Sequence, residues 1–141
     1  MPNLSCIPKF VKKEFLDILV AETWKLMLLS SDHAPNTGTQ QYVSDVVATE
    51  ITDTNGIYTA GGVAVTGKVV VNTENDYYLD LTDTVIGPGS TIAFRHAILF
   101  KDTGSQSTSP IRVQVDFLTN QITVNGTRTI RWNALGIIKI S

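Results

Sequence analysis

Large apolar side chains recur at every second position of residues 91–101, TIAFRHAILFK, with His96 at one of these positions. Because successive side chains of an extended chain point to opposite faces, this pattern predicts a strand with two distinct faces. One face carries Ile92, Phe94, His96, Ile98 and Phe100. We therefore expect His96 to be a structural polar residue of the core. Arg95 points the opposite way, so in a regular strand it cannot join His96 in one site; we expect it to bind an Asp of a neighbouring strand or another chain.

Most of the remaining chain also has the pattern of strands and turns, with many Val, Ile, Thr and Tyr residues. Strands are predicted within residues 23–30, 56–62, 63–72, 76–86, 110–117, 121–133 and 136–141. Turn residues mark 54–56, 73–76 and 87–89, and LTNQ at 118–121 predicts the turn of a hairpin. Asn125-Gly126 fits either a second hairpin turn or a bulge within a longer strand.

Two segments have helical spacing instead. In FVKKEFLDIL, residues 10–19, apolar side chains recur near one helical face, which favours a short N-terminal helix; they are Phe10, Phe15, Ile18 and Leu19. In TQQYVSDVVATEI, residues 39–51, the valines recur three and four positions apart, and Thr39 is a candidate N-cap. This pattern predicts one short helix at about 40–50.

These elements predict a mainly β fold, a single-domain β-sandwich or a jelly-roll or barrel-like fold. The 141 residues suit one domain. We expect residues 1–22 to form an N-terminal arm or short helix able to make an interface, and residues 23–141 to form a single β domain.

Composition excludes several classes of function. The net charge of −2 gives no electrostatic reason to bind a polyanion, which requires clustered Lys and Arg, so we expect no nucleic-acid partner. Cys6 is the only cysteine, which rules out an intramolecular disulfide and a cysteine zinc cage. No apolar run reaches the ~18 residues of a membrane span and no secretory signal is evident, so we expect no membrane partner and synthesis in a cytoplasm.

No motif identifies a reaction, so we predict no catalytic, cofactor-binding or metal-ligating residue and a protein that is not an enzyme. Residues 62–69, GVAVTGKV, match a phosphate loop only in part, since Val69 replaces the magnesium-binding Ser or Thr. The dispersed carboxylates lack the spacing of a calcium loop, although a metal held by distant residues stays open. The alternative of another class is a small hydrolase that uses His96 with an Asp from a neighbouring strand.

Several stretches, in order, resemble a family of small virion proteins of tailed bacteriophages. They are residues 24–51, 58–70, 90–104, 109–117 and 129–141, which begin WKLMLLSSDHAPN, YTAGGVAV, STIAFRHAILFKDTG, SPIRVQVDF and TIRWNALG. The resemblance implies a non-enzymatic structural protein of the virion, assembled in the host bacterial cytoplasm. A capsid cement or decoration protein on the major capsid protein lattice is the first expectation. The alternative is a tail, baseplate or fibre component, including a host-surface binder.

An assembly protein of this kind is expected to bind the major capsid protein or other virion proteins and to form a homo-oligomer. Exposed strand edges and apolar arms are the features that add strands or helices to neighbours. The candidate interface residues are Phe10, Phe15, Arg95, Asp102 and Ser105. The last two lie at the polar stretch DTGSQSTSP, residues 102–110, which we expect to be an exposed loop.

Overall fold

A computed structural model describes residues 8–73, 76–133 and 136–139 of the chain. Of these residues, 46% are in strands and 14% in helices, so the predicted mainly β class is confirmed. The elements in chain order are α1 (Lys9–Val20), β1 (Trp24–Leu29), two 3-10 helices (Val43–Asp45 and Val47–Thr49), β2 (Val63–Ala64), β3 (Val69–Asn72), β4 (Tyr77–Asp80), β5 (Thr84–Lys101), β6 (Ile111–Ile130) and β7 (Ile138–Lys139).

The chain divides into two compact units. The hairpin unit comprises residues 23–65 and 84–130, and the helix unit comprises the described parts of 1–22, 66–83 and 131–141. This grouping differs from the expected division into residues 1–22 and 23–141, because two later segments of the chain belong with the N-terminal helix.

The hairpin unit contains a four-stranded antiparallel sheet in the order β2-β1-β5-β6. Leu26 of β1 pairs with Leu99 of β5, and Met27 pairs with Ile98. A buried apolar cluster forms over one face of these two strands, with Met27, Leu29, Val43, Val46, Ile98 and Phe100 as its members. The two central strands are therefore covered by the segment that carries the 3-10 helices.

The longest feature of this unit is the hairpin of β5 and β6, two strands of 18 and 20 residues. The hairpin turn predicted at 118–121 is wrong, because this segment lies inside β6. Phe94 pairs with Gln121 and His96 with Asp116, so the intervening residues of β6 bulge out of register, with Leu118 at φ 69°. Since β5 is continuous, β6 stays paired along it and absorbs the turn-forming residues as a bulge.

Two other predicted turns are also irregularities within the hairpin. The segment at 87–89 lies within β5 and coincides with a register shift between Ile86 and Ser90. Asn125-Gly126 was predicted to form either a hairpin turn or a bulge in a longer strand. It lies within β6, with Asn125 at φ 45°, so the bulge is the alternative observed. Positive φ is a conformation that Asn tolerates better than most side chains do.

The helix predicted at about 40–50 is present as two one-turn 3-10 helices. The Asp45 carboxylate accepts hydrogen bonds from the backbone N–H groups of Gln41 and Tyr42, both at 2.9 Å. β-bridges from Tyr42 to Pro110 and from Glu50 to Leu29 fix the segment at both ends. β-branched valines have low helix propensity, and the short span between the bridges leaves no room for a longer α-helix.

A buried polar network connects the loop after these helices to the sheet. The Tyr58 hydroxyl donates to Glu50 Oε1 at 2.8 Å and accepts from the Leu28 N–H at 3.0 Å. Burial raises the pKa of Tyr58. Asp53 accepts from the backbone N–H of Tyr58 and Thr91 and from two further donors. Burial alone raises the pKa of Asp53, but these four donors hold it well below its usual range.

The helix unit packs α1 with the three-stranded antiparallel sheet β3-β4-β7. The helix predicted within residues 10–19 is thereby confirmed. Leu16 is fully buried, and the Lys12 ammonium forms a salt bridge with Asp76 at 2.8 Å. The Lys9 ammonium lies 4.8 Å from the centroid of the Tyr77 ring. One face of α1 is therefore fixed to the sheet by apolar burial and by cations at its edge.

Candidate functional site

Burial alternates along residues 91–96 as predicted, whereas from His96 to Phe100 both faces are buried, Ala97 and Leu99 included. Ile92, Phe94, His96, Ile98 and Phe100 are all buried. His96 is 3% exposed, and its ring meets the ring of His33 at a centroid distance of 5.2 Å and an angle of 75°. His33 is also buried, although its loop sequence gave no sign of this. The two histidines of the chain thus meet in the interior of the hairpin unit.

The neighbouring-strand Asp expected for Arg95 is Asp116 of β6. The guanidinium donates from Nε to Asp116 Oδ1 at 3.1 Å and from Nη2 to Oδ2 at 3.3 Å. His96 Nδ1 lies 3.8 Å from the same Oδ1. The expectation that Arg95 and His96 cannot share a site is therefore wrong. The strand is not regular there: the register shifts between Phe94 and His96, and both side chains approach one carboxylate.

This histidine cluster (His33, His96, Arg95 and Asp116) combines two buried imidazole rings with an ion pair whose side chains are 36–39% exposed. Desolvation lowers the pKa of His96, and the Asp116 carboxylate opposes that shift only in part. The hydrogen bond from Arg95 lowers the pKa of Asp116. His96 Nδ1 is buried and has no hydrogen-bond partner among the residues that the structure describes. His96 is therefore a neutral imidazole at neutral pH, held beside an ionised carboxylate that is already paired.

This arrangement contains one element of the hydrolase alternative, an Asp from a neighbouring strand. The 3.8 Å between His96 Nδ1 and Asp116 Oδ1 is longer than a hydrogen bond, and Arg95 already occupies both carboxylate oxygens. His33 Nε2 lies 3.3 Å from Gln114 Oε1, and Gln114 donates onward to Gln40 Oε1 at 3.2 Å. Within the described ranges, no group of three or more His, Cys, Asp or Glu side chains is placed to hold a metal ion.

His96 gives a pH-dependent prediction. Its pKa is lowered in the folded state, whereas in the unfolded chain it is about 6.5. As the pH falls below about 6.5, His96 therefore binds a proton in the unfolded chain before it does so in the folded chain. The free energy of unfolding decreases until the pH reaches the lowered pKa of the folded state. We expect the melting temperature to fall between about pH 7.5 and pH 5, and His96→Gln to reduce that slope. Equal slopes for the two proteins in calorimetry would contradict this role of His96.

Asp102 and Ser105 of the predicted interface set lie together, away from the histidine cluster. Asp102 forms a salt bridge with Lys25 at 3.0 Å and accepts from the Gly104 N–H. The Gly104 hydrogen bond and then Lys25 lower the pKa of Asp102. These residues line a cavity of about 210 Å³ whose other walls include Gln106 and Ser109. Residues 103–108 of the loop predicted at 102–110 are exposed as expected. Asp102 and Pro110 are half-buried, and Ser109 is buried, with its hydroxyl donating to the Ser105 carbonyl at 2.7 Å.

Phe10 and Phe15 are exposed on α1, and the structure adds Ile18 to them. The three side chains are 54–65% exposed. Val11, Glu14, Phe15 and Ile18 line a cavity of about 210 Å³ on this outer face. Ile18 was recognised as part of the apolar face but not as an interface candidate. Its spacing of three from Phe15 was the signal that placed it beside that residue.

A second exposed apolar surface was missed altogether. Leu118, Ile122 and Val124 of β6 are 61–75% exposed. Ile122 and Val124 line a groove of about 430 Å³ together with Ala93 and with threonines of both the hairpin and the loop 50–54. Among the described strands β6 pairs only with β5, so it is an outer strand of its sheet. This surface was not predicted from the sequence because the turn predicted at 118–121 divided β6 into two short strands.

Comparison of the chain with protein-family models, with curated proteins and with solved structures found no match. In the part of the chain that the structure describes, no helix is long and apolar enough to span a membrane.

Proposed function

We propose that the chain is a structural protein of a tailed-bacteriophage virion, a cement or decoration protein that binds and stabilises the major capsid protein lattice. The proposal combines the resemblance of residues 24–141 to small virion proteins with the surface of the hairpin unit. It assigns no catalytic role to any residue.

The observation that carries the proposal is the long outer strand β6. Its 20 residues form one edge of the sheet, and Leu118, Ile122 and Val124 expose large apolar side chains. Proteins that remain monomeric usually protect such strands, since unpaired N–H and C=O groups pair with other chains. A partner that contributes an extended segment would add a strand to this edge of the sheet and cover the apolar side chains.

Stabilisation of a capsid would follow from mass action. A protein that binds only the assembled shell lowers the free energy of that shell relative to its dissociated subunits. No reaction is required. The bound copies raise the temperature and the osmotic stress at which the shell opens.

Binding to the assembled shell tests the proposal. Purified chain should sediment with mature capsids that lack it and should raise their melting temperature. Ile122→Asp places a charge on the exposed face of β6 and is expected to weaken binding at least about tenfold. Ile57→Asp is the matched control, because Ile57 is also exposed but lies outside β6. Equal binding by the two variants, or no binding by the unaltered chain, would contradict the proposal.

The alternative within the virion is a tail, baseplate or fibre component. Immunogold labelling of intact particles separates the two locations. Label over the head supports the cement assignment, and label confined to the tail replaces it with the alternative.

A further inference from the structure

The sequence contains two Asn-Gly pairs, Asn55-Gly56 and Asn125-Gly126. Such a pair is prone to a spontaneous reaction, because the backbone nitrogen of the second residue can attack the Asn side-chain amide when no Cβ obstructs its approach. Asn is accordingly one of the thermolabile residues of proteins. The rate of this reaction in a folded chain depends on how firmly the side chain and the backbone of the pair are held.

Hydrogen bonds fix the first pair. The Asn55 Nδ2 group donates to the Gly89 carbonyl at 2.8 Å and to Thr91 Oγ1 at 3.1 Å. The attacking atom is also engaged, because the Gly56 N–H donates to the Asp53 carbonyl at 3.0 Å. Asn55 therefore cannot turn its amide toward Gly56 unless these hydrogen bonds break.

The second pair lies in β6 and is held by fewer contacts. Asn125 is exposed, and its backbone N–H donates to Thr91 Oγ1 at 2.9 Å, but its side chain makes no hydrogen bond to any residue that the structure describes. Gly126 pairs with Ser90 of β5, and the register of the two strands shifts on both sides of this pair. A strand is locally deformable where its ladder is interrupted. The Asn125 amide can therefore reach the backbone nitrogen of Gly126 at little cost.

The fold does not require glycine at position 126. The positive φ of this bulge, 45°, belongs to Asn125 and not to Gly126. A Cβ placed on Gly126 would lie 3.4 Å from Thr123 Cγ2 and 3.5 Å from the Val124 carbonyl oxygen, which are ordinary van der Waals distances. Alanine would therefore fit, and glycine within a strand costs stability relative to alanine. The missing Cβ thus favours the reaction without serving the fold.

We propose that Asn125 is a modification site at which the chain converts itself to aspartate and isoaspartate. The Gly126 nitrogen loses its proton and bonds to Asn125 Cγ, and the bond from Cγ to Nδ2 breaks with release of ammonia. One water molecule then opens the resulting five-membered succinimide at either of its two carbonyl carbons. Opening at one carbon gives an Asp side chain on a normal backbone, and opening at the other gives isoaspartate. Water is the only co-reactant, and no atom is oxidised or reduced.

Either product changes the outer surface of β6. Aspartate adds a negative charge next to Val124, one of the large apolar side chains exposed on this strand. Isoaspartate adds the same charge and also lengthens the backbone of β6 by one methylene, which disturbs the pairing of this strand with Ser90. The exposed face of β6 therefore becomes more polar as the chain ages.

Peptide mapping of the full chain by mass spectrometry tests the proposal, after incubation of the folded protein at mildly alkaline pH. The peptide that contains Asn125 should gain the mass of an amide converted to an acid, and its isoaspartate fraction should accept a methyl group from an isoaspartyl methyltransferase. Because three hydrogen bonds must break first at the other pair, we expect Asn125 to convert at least about tenfold faster than Asn55. In urea the difference should disappear. Equal rates at the two pairs in the folded chain, or no conversion of Asn125, would overturn the proposal.

Gly126→Ala tests the attacking atom. The variant should keep the circular dichroism spectrum of the unaltered chain, because the added Cβ fits. It should also slow the conversion of Asn125 at least about tenfold, because the Cβ obstructs the approach of the nitrogen. A folded Gly126→Ala that converts as fast as the unaltered chain would contradict attack by this nitrogen. The comparison of the two Asn-Gly pairs in the unaltered chain decides the proposal even if the variant does not fold.

The conversion does not depend on the virion assignment. It is measured on the purified chain, so failure of the chain to bind capsids would remove the proposed function and leave the expected conversion unchanged. A chain that binds capsids but does not convert at Asn125 would have the opposite meaning.

Discussion

Replacing Phe94 with alanine is expected to lower the free energy of unfolding by about 3–5 kcal/mol. Phe94 is 1% exposed near the middle of β5, and its ring packs edge-to-face with Phe117 of β6 at a centroid distance of 5.3 Å. The substitution removes a full aromatic side chain from the interior, and the paired strands limit how far the backbone can close the cavity. Urea unfolding, followed by the two tryptophans, measures the change.

The adjacent residue supplies the control for Phe94. Ala93 is exposed on the opposite face of β5, so Ala93→Ser should change the free energy of unfolding by less than about 0.5 kcal/mol. A loss below about 1 kcal/mol for Phe94→Ala, or similar losses for the two variants, would contradict the assigned faces of β5.

Replacing Leu16 with alanine should cost the helix unit about 2–5 kcal/mol. Leu16 is the one fully buried side chain of α1. The cation contacts of Lys9 and Lys12 lie at the edge of the helix and cannot compensate for an apolar cavity beneath it. Loss of helical signal in circular dichroism as urea is added gives the measurement.

Phe15→Ala is the matched comparison, because the two residues are neighbours on opposite faces of one helix. Phe15 is 54% exposed, so Phe15→Ala should lower the free energy of unfolding by less than about 0.5 kcal/mol. If Phe15→Ala lowers the free energy of unfolding as much as Leu16→Ala does, the outer face of α1 is packed within the chain and is not available to a partner.

The local sequence pattern predicted β5 and α1 well because the apolar side chains of each element recur with one clear period. The alternation from Ile92 to Phe100 has period 2, and the spacing of Phe15 and Ile18 is helical. The strand β6 was harder to predict. Its residues at 118–121 have the composition of a hairpin turn. They form a bulge because β6 pairs with the continuous strand β5 on both sides of them.

The histidine cluster shows the same limit for a candidate site. The alternation predicted that His96 is buried, and a neighbouring-strand Asp was expected for Arg95. The contact between His33 and His96 joins residues far apart in sequence, and the approach of Arg95 and His96 to one Asp116 carboxylate depends on a register shift. Neither feature has a signal in a single sequence, because both arise from long-range strand pairing.

The grouping of the chain into two units was also not predicted from the sequence. Residues 66–83 have the strand pattern of the segments around them, so nothing local separates β3 and β4 from β2 and β5. Their antiparallel pairing with each other and with β7, and their contacts with α1, assign them to the helix unit.

An electron cryomicroscopy map of the intact particle tests the central claim most directly, because it locates every copy of the chain. The account predicts density for this protein on the capsid shell, with β6 against the major capsid protein. Density for the chain only in the tail, or a particle that does not contain it, would contradict the assignment as a capsid cement protein.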